Sequence, residues 1–344
     1  MSFKSNAGTI IDRAINELRT GRPLIIKNNK EYWIFFNIEH SQSSIFNKFN
    51  KYLTDKKFLL VTKQKANSIF NKNIKNNIYF EIHHKTDTNN IFNLFVNPLS
   101  KNKKIKFTKI KKFKSKEFHD VCIDLSKNAK MIPSLIFKKI SDKYKENIND
   151  FAFKNGLLLF DYKDLVNQNK LISESIKLVS SAKVPLPKNQ NSKFKIFKSY
   201  IGSEKHVAII VNPNKIKNKC VNLRIHSACF TGDIFHSLKC DCGEQLNQSI
   251  SYMVRNNGGI ILYLEQEGRG IGLANKMRAY SLQAKGMDTI DADHNIGFHD
   301  DERDFRIASR ILKILKVQKV NIITNNKNKI NSIKKAGIKV ENQI

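Results

Sequence analysis

The sequence predicts an α/β protein (α+β mixed) of two domains, each a mixed sheet packed with helices. At 344 residues the chain is long for one domain, and its hydrophobic content of 40% is compatible with two buried cores. Runs of apolar residues at helical spacing alternate with short apolar runs that are typical of strands. Residues 181–199 contain two prolines followed by a polar stretch, which indicates a linker. We therefore predict one domain over residues 1–188 and a second over residues 189–344.

In the predicted first domain, apolar residues at helical spacing indicate a helix that begins near Ile10 and ends at Gly21. The middle of this domain is rich in Asn and Lys and gives few signals. A further helix is predicted from residue 134 to Gly156, and another begins at Asp161. Short strands are predicted at residues 24–26, 33–36, 58–62, 78–82 and 157–160.

In the predicted second domain, strands and helices alternate with clearer boundaries. Residues 206–211 and 221–225 are predicted to form adjacent strands. A glycine-rich loop from Glu265 to Gly272 connects a predicted strand to a predicted helix, and in such folds the loops carry the chemistry. The remaining elements are helices at residues 246–255, 273–286 and 304–315, strands at 260–264 and 320–324, and a last helix ending at Gly337.

The net charge of +31 is high for a chain of this length. The basic residues are spread over both predicted domains in company with Asn and Ile, and Lys, Asn and Ile all have A/T-rich codons. We therefore attribute much of the charge to a biased genome and expect no nucleic-acid partner, with a dedicated polyanion surface as the alternative. In either case the positive field would attract an anionic substrate such as a triphosphate.

The cysteine count and the hydropathy pattern predict a cytoplasmic protein. Five cysteines, an odd number, occur without an export signal, so the thiols are expected to be reduced rather than paired in disulfides. No run of about 18 uncharged apolar residues is present, which argues against a membrane partner.

Three of the five cysteines lie within fourteen residues of one another, which indicates a metal site. They are Cys229, Cys240 and Cys242. Thiolates bind zinc strongly, and three protein ligands would leave one tetrahedral position for a water of lowered pKa, as in catalytic sites. The alternative is a closed structural site, and the spacing alone does not decide between the two. The candidate fourth ligands of a closed site are His226, His236 and Cys220.

Three further segments carry polar residues suited to a nucleotide. In the glycine-rich loop, Glu267 suits the two N–H donors of a guanine edge and Arg269 suits a phosphate, although an ordinary strand-to-helix turn explains the glycines equally well. Residues 299–304 combine carboxylates with Arg303, and a charged helix start is the simpler interpretation. Residues 324–329 offer a hydroxyl, amides and two lysines at a helix start, with a solvated turn as the equal alternative.

Together and in this order, these segments resemble GTP cyclohydrolase II from about residue 190 onward. The resemblance is carried by RIHSACFTGD, SLKCDCGEQL, QEGRGIGLANKMRAYSLQ, DTIDADHNIGF, DERDF and TNNKNK. It implies a hydrolase of riboflavin biosynthesis that converts GTP to 2,5-diamino-6-ribosylamino-4(3H)-pyrimidinone 5′-phosphate, formate and pyrophosphate. It also implies one zinc ion (Zn2+) per subunit and magnesium (Mg2+) with the triphosphate, and we expect a homodimer.

The resemblance also implies roles for individual residues. The zinc ligands would be Cys229, Cys240 and Cys242, which favours the open site and leaves His226, His236 and Cys220 outside it. The residues that match GTP-holding positions are Arg224, Gln245, Glu267, Arg269, Thr289, Thr324 and Lys329. The catalytic positions are Asp301 as proton acceptor, Arg303 toward the α-phosphate and Tyr280 in ring opening. Because a guanidinium does not readily lose its proton, Arg303 is expected to stabilise charge, with nucleophilic attack as the alternative.

The first half resembles, more faintly, 3,4-dihydroxy-2-butanone 4-phosphate synthase, which is often fused ahead of this cyclohydrolase. The similarity lies in IDRAINELRTGRPLII and in residues 132–170. That family needs an acidic loop for magnesium, whereas the corresponding residues 27–33 of this chain offer only Glu31. We therefore predict a catalytically inactive first domain that serves packing, dimerisation or regulation.

Two other functions remain open at the level of sequence. A non-catalytic GTP-binding regulatory paralogue of the riboflavin pathway would fit the decayed first half. A zinc-containing nucleic-acid-binding protein would fit the charge of +31, but no zinc-finger helix or stacking-aromatic pattern supports it.

Overall fold

The computed structural model describes residues 6–50, 53–82, 88–97, 99, 112–187, 189–216 and 220–344. These residues form two compact units, neither of which is continuous in sequence. Unit 1 comprises Met1–Gln168 and Ile271–Glu302, and unit 2 comprises Asn169–Gly270 and Arg303–Ile344. Each unit has a seven-stranded mixed sheet packed with helices, so the predicted fold class is confirmed.

The sheet of unit 1 is mostly antiparallel. Its strands are β1 (Leu24–Asn28), β2 (Glu31–Asn37), β3 (Leu53–Val61), β4 (Ile78–Ile82), β5 (Lys112–Lys114), β6 (Ser134–Ile140) and β7 (Leu158–Asp161). They lie in the order β5-β4-β3-β6-β2-β1-β7, and only the β1–β7 pair is parallel.

The sheet of unit 2 combines a parallel half with an antiparallel half. Its strands are β8 (Lys177–Lys183), β9 (Ser192–Lys198), β10 (Lys205–Val211), β11 (Val221–Ser227), β12 (Gly259–Leu264), β13 (Lys319–Ile322) and β14 (Lys339–Gln343). They lie in the order β14-β13-β11-β12-β10-β9-β8, with parallel pairing from β14 to β12 and antiparallel pairing from β12 to β8.

The α-helices of the described residues are mostly short. They are α1 (Ala7–Arg19), α2 (Ser44–Asn50), α3 (Lys63–Phe70), α4 (Thr88–Phe95), α5 (Glu117–Asn128), α6 (Ile148–Lys154), α7 (Gln168–Glu174), α8 (Phe230–Asp233), α9 (Cys242–Arg255), α10 (Leu273–Gln283), α11 (Thr289–Ile296), α12 (Arg306–Ile314) and α13 (Lys327–Lys335). Among these residues, no helix combines the length and apolarity needed to cross a membrane.

The prediction of a helix from residue 134 to Gly156 is wrong for the first residues of that range. Residues 134–140 form β6, which pairs with β2 and β3 near the middle of the sheet and is buried along almost its whole length. The apolar spacing of LIFKKI fits a buried strand as well as a helix, and only the later residues form a helix, α6.

The two prolines at the predicted linker lie inside unit 2. Pro185 and Pro187 are in the connection between β8 and β9, and these two strands pair antiparallel. Residue 188, the predicted domain boundary, lies outside the described residues. The predicted neighbours β10 and β11 are both in this sheet, but β12 lies between them.

Candidate active site

The loops that carry the predicted ligands in unit 2 follow three neighbouring parallel strands. Strands β13, β11 and β12 lie side by side and run in the same direction, so their carboxyl ends meet at one edge of the sheet. Cys229 follows β11, Glu267 follows β12 and Thr324 follows β13. In open α/β sheets, ligands bind at this edge.

The three predicted zinc ligands lie together. The Sγ atoms of Cys229, Cys240 and Cys242 are all within 4.8 Å of one another, and those of Cys229 and Cys240 are 3.5 Å apart. A tetrahedral zinc ion with Zn–S bonds of about 2.3 Å needs sulfurs roughly 3.8 Å apart, so the donor set fits zinc. Burial, together with the Cys229 and Cys240 thiols, raises the pKa of Cys242, and a divalent cation would reverse this shift.

Two glycines allow α8 and α9 to approach closely enough to bring the cysteines together. A Cβ atom at Gly232 in α8 would lie 2.8 Å from the Cys240 Sγ and 3.1 Å from the Cys229 Sγ. A Cβ atom at Gly243 in α9 would lie 2.4 Å from the Gly232 carbonyl oxygen. These separations are well below the optimum of about 3.5 Å or more for non-bonded carbon atoms. Any side chain at either position would therefore move the thiols apart.

A buried carboxylate fixes the backbone at Cys229. The Asp233 carboxylate accepts hydrogen bonds from the Cys229 N–H at 2.9 Å, from the Tyr263 hydroxyl at 2.8 Å and from His226 Nε2 at 3.1 Å. The side chains of Asp233 and His226 are each 4% exposed. Burial acts to raise the pKa of Asp233, but the three hydrogen bonds together lower it. Asp233 is thus an ionised acceptor at the base of the cysteine cluster.

Sequence reasoning missed Asp233 and Tyr263. Asp233 lies four residues after a predicted ligand, which was the available signal, whereas the role of Tyr263 depends on its pairing with His226 across β11 and β12. His226, weighed as a fourth ligand, donates to Asp233 instead, and Cys220 lies at the opposite end of β11 from Cys229. Within the described ranges, the three cysteines alone form a group of His, Cys, Asp or Glu side chains able to hold a metal ion.

Arg224 on β11 connects the sheet to the start of α9. Its Nη2 donates to Gln245 Oε1 at 2.6 Å, and its Nη1 donates to the Ile323 carbonyl at 3.1 Å. Gln245 in turn donates to Asp241 Oδ2 at 2.6 Å, and Thr324, the residue after Ile323, is buried. Burial lowers the pKa of Arg224, and its buried Nε has no hydrogen-bond partner in the part of the chain that the structure describes. A buried N–H of this kind favours an acceptor supplied by a ligand.

The loop after β12 is tied to the cysteine loop. Glu267 Oε2 accepts from the Phe230 N–H at 2.6 Å, so it is joined to the first residue of α8. Arg269 has a φ of 57°, a left-handed backbone conformation that non-glycine residues rarely adopt. The buried Gln266 donates to the Asp304 carbonyl at 2.9 Å, which connects this loop to the segment before α12. The loop after β12 is therefore fixed between the cysteine loop and the segment before α12.

Two cationic side chains, those of Arg303 and Lys329, contact the Phe305 ring near the end of β11. The Arg303 Cζ lies 5.1 Å from the ring centroid, and the Lys329 Nζ lies 5.8 Å from it. Lys329 is 6% exposed and donates to the Ile225 carbonyl at 2.7 Å, and Arg303 Nη1 donates to Ser227 Oγ at 3.4 Å. The arrangement concentrates positive charge where an anionic group of a ligand would bind.

Three predicted site residues belong to unit 1, whereas the others belong to unit 2. Tyr280 lies on α10, with the Lys276 Nζ 5.5 Å from its ring centroid. Thr289 is the first residue of α11, and its hydroxyl accepts from Gln283 Nε2 at 3.4 Å. Asp301 lies after α11 and lines an open cavity of ≈ 830 Å³.

Comparisons with known proteins match the second half of the chain most closely. A family model described as GTP cyclohydrolase II matches residues 177–344. A GTP cyclohydrolase-2 from Aliivibrio fischeri (strain MJ11) is 49% identical over 138 residues, which are 40% of this chain and 69% of that protein.

Other relatives are longer than this chain. A GTP cyclohydrolase-2 from Azospirillum brasilense is 37% identical over 222 residues, which are 64% of this chain and 57% of that protein. A riboflavin biosynthesis protein RibBA from Staphylococcus haemolyticus is 39% identical over 228 residues, 64% of this chain and 56% of that protein. The chain thus spans a little over half of their length. Since 64% of the chain exceeds residues 177–344, both alignments extend upstream of residue 177.

The similarity to solved structures is weak. The crystal structure of RibBX, a two-domain 3,4-dihydroxy-2-butanone 4-phosphate synthase from A. baumannii, aligns over 97% of this chain and 99% of that chain, with 12% identity and a TM-score of 0.36. A score this low supports no conclusion about function.

Proposed function

The chain belongs to the GTP cyclohydrolase II family, and we propose that its second half opens the guanine ring of GTP as a zinc-dependent hydrolase. The proposed products are 2,5-diamino-6-ribosylamino-4(3H)-pyrimidinone 5′-phosphate, formate and pyrophosphate, which would make this the first step of riboflavin biosynthesis. The single observation that carries the proposal is the cluster of three cysteine thiols at the carboxyl edge of the parallel strands.

Cys229, Cys240 and Cys242 would hold the zinc ion, since their Sγ atoms all lie within 4.8 Å of one another and tetrahedral zinc needs sulfurs about 3.8 Å apart. When bound by three protein ligands, zinc activates water for hydrolysis at neutral pH. No further cysteine or histidine closes the group within the residues that the structure describes, which supports an open coordination position.

The loops around the cysteines would bind the nucleotide. Glu267 is suited to the paired N–H donors of the guanine edge, because a carboxylate has two acceptor oxygens. Its hydrogen bond from the Phe230 N–H holds it beside the cysteine loop. Arg224 would donate its buried Nε to the ligand. Of the other proposed GTP contacts, Gln245 orients Arg224, while Arg269, Thr289, Thr324 and Lys329 supply hydroxyl and cationic donors suited to the ribose and phosphates.

The proposed catalytic residues would transfer protons and stabilise the negative charge of the phosphates. Asp301 is proposed as proton acceptor and Tyr280 as a participant in ring opening. Arg303, held at Ser227 and over the Phe305 ring, would stabilise charge during release of pyrophosphate, because a guanidinium offers several N–H donors suited to phosphate oxygens. We propose that magnesium enters with the triphosphate.

Release of formate tests the proposed activity. The purified chain, supplied with GTP, zinc and magnesium, is expected to release one formate per GTP consumed. The Cys242→Ser variant is the control, since it lacks one thiolate. Formate no higher than that of the control would contradict the proposal.

A GTP-binding regulatory protein is the second candidate, because the first half lacks the acidic loop of an active synthase. The carboxylate that remains there, Glu31, accepts from Lys139 Nζ at 2.5 Å and from Trp33 Nε1 at 3.4 Å. We propose that this first half has no synthase activity. The regulatory candidate predicts saturable GTP binding with no formate, so the same samples distinguish the two functions.

A further inference from the structure

We propose that the first half of the chain is a clamp for residues 271–302, which we call the catalytic segment because Tyr280, Thr289 and Asp301 lie in it. The segment lies within the residues that match the cyclohydrolase family. In the structure it nevertheless belongs to unit 1, together with the first 168 residues. The clamp itself does not depend on the activity, whereas the need for it during turnover rests on the proposed function.

Helix α3 of the first half binds the carboxyl end of α11. Lys65 is 3% exposed, and its Nζ donates to the Asn295 carbonyl at 2.7 Å. Thr62, which caps the start of α3, donates through Oγ1 to the Gly297 carbonyl at 2.7 Å. The last carbonyls of a helix lack partners inside it and carry partial negative charge, so a hydroxyl and an ammonium group stabilise that end. Gly297 itself caps α11, and the first half adds donors to two carbonyls at that end.

Helix α10 binds the turn after β2, which contains Glu39, and the loop that precedes β6. Arg278 Nη2 donates to Glu39 Oε2 at 3.0 Å, and the other oxygen of Glu39 accepts from the Ile132 N–H at 2.6 Å. Asn275 Nδ2 donates to the Lys130 carbonyl at 3.0 Å. The Arg278 and Glu39 side chains are only 21% and 18% exposed, so their attraction is screened less than that of a surface pair.

The end of the catalytic segment is held at a third point. Lys127 on α5 contacts Glu302 with an Nζ–Oε1 distance of 2.6 Å, and both side chains are 14% exposed. The same Glu302 oxygen accepts from the His299 N–H at 2.8 Å, and Gln64 Nε2 lies 2.5 Å from His299 Nδ1. These contacts flank Asp301, the proposed proton acceptor.

The helices of the catalytic segment depend on such contacts because they are short. Helix α10 has 11 residues and α11 has 8, and isolated helices of this length are marginal in water. The buried residues of their shared core are few, namely Ile271, Ala279, Leu282, Ala292, Ile296 and Phe298. The dependence is mutual, because the buried ammonium of Lys65 would lose an acceptor if the segment left.

Reversal of one ion pair in the full-length protein tests the clamp. We expect Arg278→Glu, which places like charges at Glu39, to raise amide hydrogen exchange in residues 271–302 by about fivefold or more and to lower kcat/KM for GTP. Adding Glu39→Arg should recover a substantial part of both effects. The control is Lys139→Glu, which breaks the Lys139–Glu31 pair elsewhere in unit 1 and should leave exchange in the segment and kcat/KM unchanged.

Unchanged exchange in the segment of the Arg278→Glu protein would overturn the clamp, and so would an equal effect of Lys139→Glu. If Arg278→Glu unfolds unit 1, Lys127→Gln tests the third contact point and should raise exchange around His299; no rise there would also overturn the clamp. A wild-type protein that releases no formate would refute the proposed function, while the exchange measurements would still decide on the clamp.

Discussion

At the scale of single residues, Asp233 holds the backbone of a proposed zinc ligand, Cys229. Its carboxylate binds the Cys229 backbone, the Tyr263 hydroxyl and the His226 ring at once. Partners of this kind orient the ligands of metal sites and commonly change metal affinity by about 10–100-fold. These hydrogen bonds hold the Cys229 backbone in one orientation relative to Cys240 and Cys242.

We therefore expect Asp233→Asn to weaken zinc binding by roughly 10–100-fold, because an amide cannot accept from all three donors. Competition with a zinc chelator measures the affinity. Tyr263→Phe removes one of the three hydrogen bonds and serves as the graded control, with a smaller loss. Equal zinc affinity in wild type and Asp233→Asn would refute this role for Asp233.

His119 in the first turn of α5 gives a second prediction. Burial, with a contribution from Lys116, lowers its pKa to about 3. The unfolded chain would take up this proton near pH 6.5, whereas the folded protein would take it up only near the lowered value. The free energy of unfolding of unit 1 should therefore fall by about 1.4 kcal/mol per pH unit between these limits as the pH decreases.

The single tryptophan, Trp33, reports on this region, because its ring centroid lies 6.1 Å from that of Phe118, the neighbour of His119. Denaturant titrations followed by Trp33 fluorescence at several pH values below 6.5 measure the slope. His119→Gln keeps an acceptor for the Lys116 N–H but does not titrate, so it should show a shallower slope. Identical slopes in the two proteins would count against the prediction.

The three cysteines that the sequence singles out lie together in the structure, and this was predictable because they fall within fourteen residues of the chain. The sequence did not reveal Tyr263, whose contact with Asp233 depends on the register between β11 and β12. The catalytic, GTP-binding and zinc-binding roles of all the site residues remain predictions from the family resemblance.

At the scale of elements, the close approach of α8 and α9 defines the cysteine cluster. Gly232 and Gly243 face each other where any Cβ atom would meet sulfur or backbone. The first residue of α9 is itself one of the thiol-bearing residues, Cys242. The position of the thiols is therefore set by how two helices pack rather than by loop conformation alone.

Gly232→Ala is expected to abolish stoichiometric zinc binding, since its Cβ would lie 2.8 Å from the Cys240 Sγ. Metal analysis of the purified protein gives the zinc content per chain, and circular dichroism shows whether it is folded. Gly286→Ala is the control, because its Cβ would meet nothing within 4 Å, although its positive φ costs about 1–2 kcal/mol of stability. Full zinc content in a folded Gly232→Ala protein would show that the helices can separate without loss of the site.

Element boundaries were predictable where hydrophobic periodicity and glycine coincide. The helix after Ile10, the strand ending at Leu264 and the helix after Phe305 lie close to their predicted positions. Strand β6 was misassigned because its apolar spacing is ambiguous, and β8 was missed because its side chains are all exposed and carry no buried pattern.

At the scale of the whole molecule, the net charge of +31 should increase the rate at which an anionic substrate binds. An exposed positive field attracts a triphosphate over distances comparable with the Debye length, which is about 10 Å at 0.1 M salt. We expect kcat/KM for GTP to fall as monovalent salt rises, while kcat changes little. Steady-state kinetics at fixed free magnesium measures both constants. A parallel decline of kcat would instead indicate a structural effect of salt.

The two-domain architecture followed from length and composition, but the membership of the units did not. No local signal places residues 271–302 with the first half, because the contacts of Lys65 and Thr62 join residues more than two hundred positions apart. Charge, spacing and periodicity describe neighbours along the chain, whereas these contacts arise only from tertiary packing.

The chain leaves unit 2 after Gly270 and returns to it at Arg303, which affects how the protein folds while it is being translated. During synthesis on a ribosome, the first 168 residues emerge well before the helices that dock on them, and β13 and β14 emerge later still to complete the second sheet. Closure of such long loops makes these late contacts slow to form. Neither unit corresponds to one uninterrupted stretch of the gene, so a cut after Gln168 would separate the two parts of unit 1, and a cut after Glu302 would separate the two parts of unit 2.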